Sequence, residues 1–211
     1  PEDLLFKPHF LQTNKRVLDD IVQATDNIAA IIGFVDRQDD NFNAAAIACN
    51  NQLIDIYHKT YLPNYGVFDE DRYFQSGTST NVYTLNKVTF GVTVCEDIWY
   101  PGGPARQQAL AGDAEILINI SSSPFYDGKH LLREQMIATR ATDISAILAF
   151  CNLVGGQDEL IFDGGSLVIN QEGQVIARSP RFEEDLLIAD IDAESVFRNR
   201  LPDPRRRKEK R

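Results

Sequence analysis

Val88-Thr89-Phe90-Gly91-Val92-Thr93-Val94 is a strongly β-forming run that stops abruptly at Cys95-Glu96-Asp97-Ile98-Trp99-Tyr100-Pro101. It has no charged residue and no strict alternation, so it reads as a strand shielded on both faces. Other strand candidates, such as Glu115 to Ile120, share this character. Strands apolar on both faces require cover on each side, which is the mark of a layered α/β architecture. The run also decides where to look for chemistry. Buried cysteines usually lie inside apolar stretches, whereas Cys95 stands at a strand mouth beside two acids, a Trp and a turn, where a ligand can be met.

Outward from this run, strands and helices alternate through much of the chain, with hairpins between them. Val82 to Leu85 pairs naturally with Val88 to Val94. Ala44 to Cys49 and Gln52 to Tyr57, joined by Asn50-Asn51, form a second hairpin pattern, with Lys59 just past its end. Lys15 to Ala30 carries a helical stripe of Val17, Leu18, Ile21, Val22, Ala24, Ile28 and Ala29, and Ile31 to Val35 follows as a strand. Thr60 to Gly77 is a long polar and aromatic loop, a length that marks a site or lid inside a compact domain. Pro104 to Ala111 reads as a helix closed by Gly112. His130 to Thr142 reads as another, with Leu131, Leu132, Met136, Ile137 and Ala141 on one side. Ile147 to Asn152, Ser166 to Asn170, Gln174 to Ala177 and Leu186 to Ile191 are predicted strands.

The 211 residues, 43% of them hydrophobic, suffice for one domain, read here as 1–200 with a basic, Pro-containing tail or linker at 201–211. The formal charge is −10. Six cations and Glu209 leave residues 205–211 at +5 and the remainder at −15, which argues against nucleic acid as a partner and for a solvated tail. No run has the length and apolarity of a membrane span, so a soluble, cytoplasmic protein without a membrane partner is expected. Cys49, Cys95 and Cys151 are odd in number and lack metal-ligand spacing, which disfavours a disulfide framework and a metal site, and Cys49 and Cys151 read as small core residues.

A thiol needs a base or a neighbouring cation to react at neutral pH. His9, His58 and His130 are the only histidines and none sits in a cysteine-protease signature, which leaves a carboxylate and an amine as candidate helpers. Spacing alone singles out neither. Ser166 in GGSLV lacks the second glycine of a serine-hydrolase elbow.

Glu2 in PEDLLF, Lys59 in HKTYLPNYGVFDEDRYFQSG and Cys95 in GVTVCEDIWYP together resemble the nitrilase, or carbon-nitrogen hydrolase, superfamily. With SSSPFYDGK and NLVGGQDELIFDGGS, the branch most resembled is the glutaminase domain that serves glutamine-dependent NAD synthesis, over Pro1 to about Asp192. The resemblance implies a four-layer αββα sandwich and self-association. It implies Cys95 as nucleophile on the glutamine side-chain amide, Glu2 as general base and acid, and Lys59 with the Glu96 backbone N–H as oxyanion donors. It places Glu70 beside the triad lysine as a supporting acid. Tyr65, Ser123 and Lys129 would hold glutamine, with Glu96 either meeting its ammonium or serving the structure.

The chain starts inside the acid-bearing motif, so the fold is expected to lack the family's first strand and helix. No pyrophosphatase loop, GxxxxGK[ST] or GxGxxG motif is present. Glutamine hydrolysis would therefore need no cofactor here, and ATP and deamido-NAD would belong to a synthetase domain of a longer parent. Two alternatives stay open: a stand-alone hydrolase of another amide, and a truncated, inactive module of the same fold.

Overall fold

In the computed structural model, which describes residues 2–210 and of Glu2 the backbone alone, the chain divides into the units Pro1–Ser79 and Thr80–Arg211. In the first unit a 3-10 turn, Glu2–Phe6, leads into α1 (Pro8–Gln23), where Pro8 occupies the first turn and loses no helical hydrogen bond. Its inward stripe, Leu18 and Val22, packs on Phe34, Ala44, Ala46 and Ala48. The sequence places this helix over Lys15–Ala30, seven residues too late. The Thr25 hydroxyl donates to the Val22 carbonyl at 2.8 Å and Asn27 takes a left-handed φ of 56°, which ends the helix early. Ala29 and Ala30 instead pair with Cys49 and Ala48.

That pairing belongs to β1 (Ala29–Arg37), β2 (Asn41–Cys49) and β3 (Gln52–His58), an antiparallel sheet in that order. Asn50 and Asn51, at φ 50° and 63°, make the two-residue turn that matches strand twist, and the expected hairpin is present. On β2, Ala44, Ala46 and Ala48 face α1, while Ala45 and Ile47 on the other face are buried as well.

The second unit is a six-stranded mixed sheet ordered β11-β10-β7-β6-β5-β4. The chain passes through β4 (Val82–Leu85), β5 (Val88–Val94), α2 (Pro104–Arg106, continued by a π turn over Gln107–Ala111) and β6 (Ile116–Ser121). It continues with α3 (Lys129–Ile144), β7 (Ile147–Asn152), a separate hairpin of β8 (Val154–Gln157) and β9 (Leu160–Asp163), then β10 (Leu167–Ile169) and β11 (Val175–Arg178). β5, β6 and β7 are parallel, so their carboxyl ends share one edge. Ile137, Ala141 and Ile144 of α3 join Ala105, Ala109, Leu117, Leu148 and Phe150 in the main core, where burial of one such aliphatic side chain contributes about 1.5–3 kcal/mol.

Three expectations are corrected here. Leu131 and Leu132, expected on the inner side of α3, are exposed, Leu131 at 66%, and Arg133 is buried in their stead through an ion pair with Asp163. Leu186 to Ile191 forms no strand. Leu186 and Ile188 are 83% and 78% exposed, and no described strand pairs with the segment, so its apolar run has no ladder to join. Cys151, expected in the core, is exposed.

The basic ending is mostly exposed but anchored by ion pairs. After α4 (Ala193–Arg200), the short α5 (Arg205–Glu209) is tied to the second unit by Arg206 and Lys210 on Asp113, and by Arg106 on Glu209 at 2.7 Å. Burial works to raise the Asp113 pKa, and the Arg206 and Lys210 cations overcome it, leaving the carboxyl below its ordinary range. Arg200 is buried and donates to the carbonyls of Ser145 and Ala114, each at 2.7 Å. Desolvation draws its pKa down to about 10. Among the described residues no helix is long and apolar enough to cross a membrane.

Candidate active site

In the first unit β3 delivers Lys59 directly from its end, and the chain then turns into the long loop 60–77. The Lys59 side chain is 0% exposed, and its Nζ donates to Glu70 Oε1 at 2.6 Å. Asn43 Nδ2 donates to the other oxygen, Glu70 Oε2, at 3.3 Å. Backbone bonds hold the lysine from both sides, Lys59 N to Asn43 O and Gly77 N to Lys59 O, each 2.8 Å. Gly77 is required by that return, because a Cβ there would sit 2.2 Å from the His58 carbonyl oxygen. A charge so fully withdrawn from water is tolerable only when paired, and Glu70 supplies the pair. Tyr65, from the same loop, is 56% exposed and edge-on to Phe68. The Glu2 carboxylate lies outside the described residues.

In the second unit, three chain segments leave the carboxyl ends of parallel strands, the place where open α/β sheets bind ligands. After β5 the backbone kinks at Cys95, whose φ of 45° is a left-handed value rarely taken by a residue with a Cβ. The 3-10 turn Cys95–Ile98 follows, with all four residues buried. The Val94 N–H donates to Asp97 Oδ2 at 3.1 Å, so Asp97 closes the turn that carries the thiol. On the neighbouring β6, Asn119 Nδ2 donates to Thr93 Oγ1 at 2.9 Å and to Cys95 O at 3.4 Å.

After β6, Ser123 is buried, and its backbone N–H donates to Asn152 Oδ1 at 2.9 Å from the end of β7. Asn152 Nδ2 donates in turn to Gly164 O at 2.9 Å, and its own N–H to Ser166 Oγ at 3.0 Å, which accounts for Ser166 as a structural acceptor. Lys129 opens α3 with its Nζ 5.2 Å from the centre of the Tyr126 ring. Burial pushes its pKa below the ordinary lysine value. A Cys95 thiolate acts against that shift, Arg133 adds to it, and Asp163 and Glu96 oppose it. Cys95 and Glu96 are thus both within electrostatic reach of Lys129, which brings together one thiol, one acid and one partly desolvated cation.

A charged cluster that includes Arg133 and Asp163 also acts on Lys129. Arg133 Nη2 reaches both oxygens of Asp163, at 3.0 and 3.1 Å, and Arg181 Nε adds a third contact at 3.0 Å. Burial would raise the Asp163 pKa, but Arg133 and Arg181 hold it below its ordinary value. Sequence reading passed over Arg133, Asn119 and Asn152. Asn119 did carry a signal, being the one polar residue within Ile116-Leu117-Ile118-Asn119-Ile120. Among the described residues no group of three His, Cys, Asp or Glu side chains has the arrangement of a metal site.

A family profile described as carbon-nitrogen hydrolase matches residues 11–199. The chain is 42% identical over 209 residues to the glutamine-dependent NAD(+) synthetase of Thermotoga maritima, covering 98% of this chain and 36% of that protein. The enzyme of the same description from Aquifex aeolicus is also 42% identical, with 97% and 36% covered. Among solved structures, the glutamine-dependent NAD+ synthetase of Acinetobacter baumannii in complex with ADP superposes with a TM-score of 0.86 at 36% identity, over 92% of this chain and 37% of that one. The chain spans little more than a third of the length of these relatives.

Proposed function

Because the chain belongs to the carbon-nitrogen hydrolase family, we propose that it hydrolyses the side-chain amide of glutamine and, as part of a longer glutamine-dependent NAD synthetase, supplies ammonia to a synthetase domain. In this reading the Cys95 sulfur attacks the amide carbon, the carbonyl π pair moves onto oxygen, and collapse of that intermediate breaks the C–N bond. The nitrogen leaves as ammonia once it gains a proton. Water then attacks the thioester, releasing glutamate and restoring the thiol. Glu2 takes the thiol proton, returns it to the departing nitrogen and later activates the water. Lys59, oriented by Glu70, and the Glu96 backbone N–H stabilise the oxyanion. Tyr65, Ser123, Lys129 and Glu96 hold the charged end of the amino acid, whose carboxylate and ammonium call for a cation, hydroxyls and an acid.

The observation that carries the reading is Cys95 itself, held at φ 45° where a parallel strand ends, with Lys129 and Glu96 in electrostatic range. Backbone strain of this kind concentrates at functional sites. ATP and deamido-NAD would be handled by the synthetase domain, and self-association is expected of the parent. The competing reading keeps the thiol and changes the amide. Release of ammonia from glutamine, measured beside ω-amides and N-carbamoyl compounds, separates the two: glutamine left intact while another amide turns over would sink the first. Labelling with a glutamine-like electrophile tests the inactive-module alternative, since equal modification of Cys49, Cys95 and Cys151 would favour it.

A further inference from the structure

Cys95 carries a conformational cost. A non-glycine residue is disfavoured at φ 45°, so its surroundings must hold it there. Two side chains do so from within the same unit. Asp97 fixes the turn from below through the Val94 N–H. Asn119 acts from the adjacent strand, where Thr93 and Asn119 are register partners.

Asn119 is fully buried, and both of its amide bonds run toward the thiol turn, to Thr93 Oγ1 and to Cys95 O. Thr93 Oγ1 donates onward to Ile118 O at 3.4 Å, so the hydroxyl proton is committed and its lone pair faces the Asn119 amide. This settles the orientation of the amide, because the reverse flip would set Oδ1 against the Cys95 carbonyl oxygen. Asn119 Oδ1 is left buried without a hydrogen-bond partner, an arrangement that is unfavourable by itself. A leucine or valine would fit the apolar run of β6 without that cost. What the amide adds is its two donors, both engaged at the thiol turn.

What they hold is one peptide plane. The carbonyl of Cys95 and the N–H of Glu96 belong to the same peptide group, and no described peptide bond is cis. In a trans peptide the two bonds point in opposite directions. A donor that grips the carbonyl oxygen from behind therefore sets the direction of the Glu96 N–H, and by drawing charge onto that oxygen makes the N–H a stronger donor.

We infer that Asn119 is a positioning residue, which by binding the Cys95 carbonyl aims the Glu96 N–H at the oxyanion formed when the thiol adds to an amide. The inference rests on Cys95 being the nucleophile and deepens that reading. It also separates two properties of the thiol. Amide hydrolysis builds an oxyanion and needs the aimed N–H, whereas alkylation by iodoacetamide is a direct displacement of iodide by sulfur and builds none.

The test compares these two reactions in the wild-type protein, in Asn119→Leu, which removes the donors at similar volume, and in Thr93→Val, which removes the hydroxyl that orients the amide. Turnover of glutamine and iodoacetamide labelling of Cys95 are measured on the same preparations. An unfolded chain also alkylates, so the folded fraction of each preparation is measured by circular dichroism and both rates are compared on preparations that are folded to the same extent. Asn119→Leu is expected to lower kcat about 10- to 100-fold with KM changed less than about threefold and labelling nearly unaltered, and Thr93→Val to shift the ratio the same way by a smaller factor. A turnover-to-labelling ratio equal to wild type in both variants would overturn the inference and assign Asn119 to structure alone. Wild-type protein that neither hydrolyses an amide nor labels at Cys95 would instead overturn the nucleophile reading, and the inference with it.

Discussion

Lys59 Nζ lies 2.6 Å from Glu70 Oε1, an ion pair whose cation is entirely withdrawn from solvent while its carboxylate keeps a partly wet edge. The asymmetry has consequences for mutation. Glu70→Ala strands a buried ammonium and is expected to lower stability by about 3–5 kcal/mol, whereas Lys59→Met leaves a carboxylate that water can still reach and costs less. Turnover should follow a different order: Lys59→Met falls by at least about 10²- to 10³-fold even where fully folded. Urea unfolding beside ammonia-release assays checks both, and a Lys59→Met enzyme with normal kcat would remove the lysine from the chemistry.

The left-handed backbone of Cys95 makes a prediction about two inactive variants. Cys95→Ala keeps a Cβ at φ 45° and keeps the strain, whereas Cys95→Gly relieves it. Neither should turn over glutamine. The glycine variant should be more stable than the alanine variant by about 1 kcal/mol, opposite to the usual order of these residues in regular structure. Urea midpoints of the two proteins decide it.

Lys129 is partly desolvated beside Cys95 and Glu96. If it meets the carboxylate of the amino acid, Lys129→Met loses a charge-assisted bond worth about 1.5–3 kcal/mol. KM for glutamine should then rise about 10- to 150-fold with a smaller change in kcat, since the lost contact is made in ground and transition states alike. Simple aliphatic amides, which have no carboxylate, should show no such selective loss. An equal effect on both substrate classes would count against the contact.

Asp163 predicts the acid limb of stability. Burial would raise its pKa, and Arg133 and Arg181 more than reverse that, so the folded value lies below 3.8. The folded state then binds its proton less readily than the unfolded chain. The resulting stabilisation is complete above the unfolded value and disappears as pH falls through the folded one, from about pH 4 downward. Asp163→Asn should be destabilised by about 3–5 kcal/mol at pH 7 and should show a flatter decline below pH 4. Urea midpoints measured from pH 7 to pH 2 would show parallel curves if the ion pair were irrelevant.

The parts legible in the sequence are those written over a few residues. The Asn50-Asn51 hairpin was legible because two asparagines can occupy the left-handed positions that a two-residue turn demands. Val82–Leu85 and Val88–Val94 pair as their pattern suggests. The helix before β1 was misplaced because Ile28 and Ala29 continue its apolar rhythm beyond the turn at Asn27, and periodicity does not register a capping bond. Leu186 to Ile191 shows the converse, an apolar run with no described strand beside it.

By itself, then, the sequence determined the strand and turn vocabulary, the thiol at the mouth of β5 and membership of a hydrolase family, because turn chemistry and hydrophobic period act between near neighbours. The tertiary structure decided that Arg133 would go inward while Leu131 stayed out, that α5 would dock through Asp113, and that Asn119 would reach across to the Cys95 carbonyl. Each of these joins residues 24 or more positions apart. Burial of a charge or an amide is favourable only once its distant partner is in place, and that energy belongs to the pair.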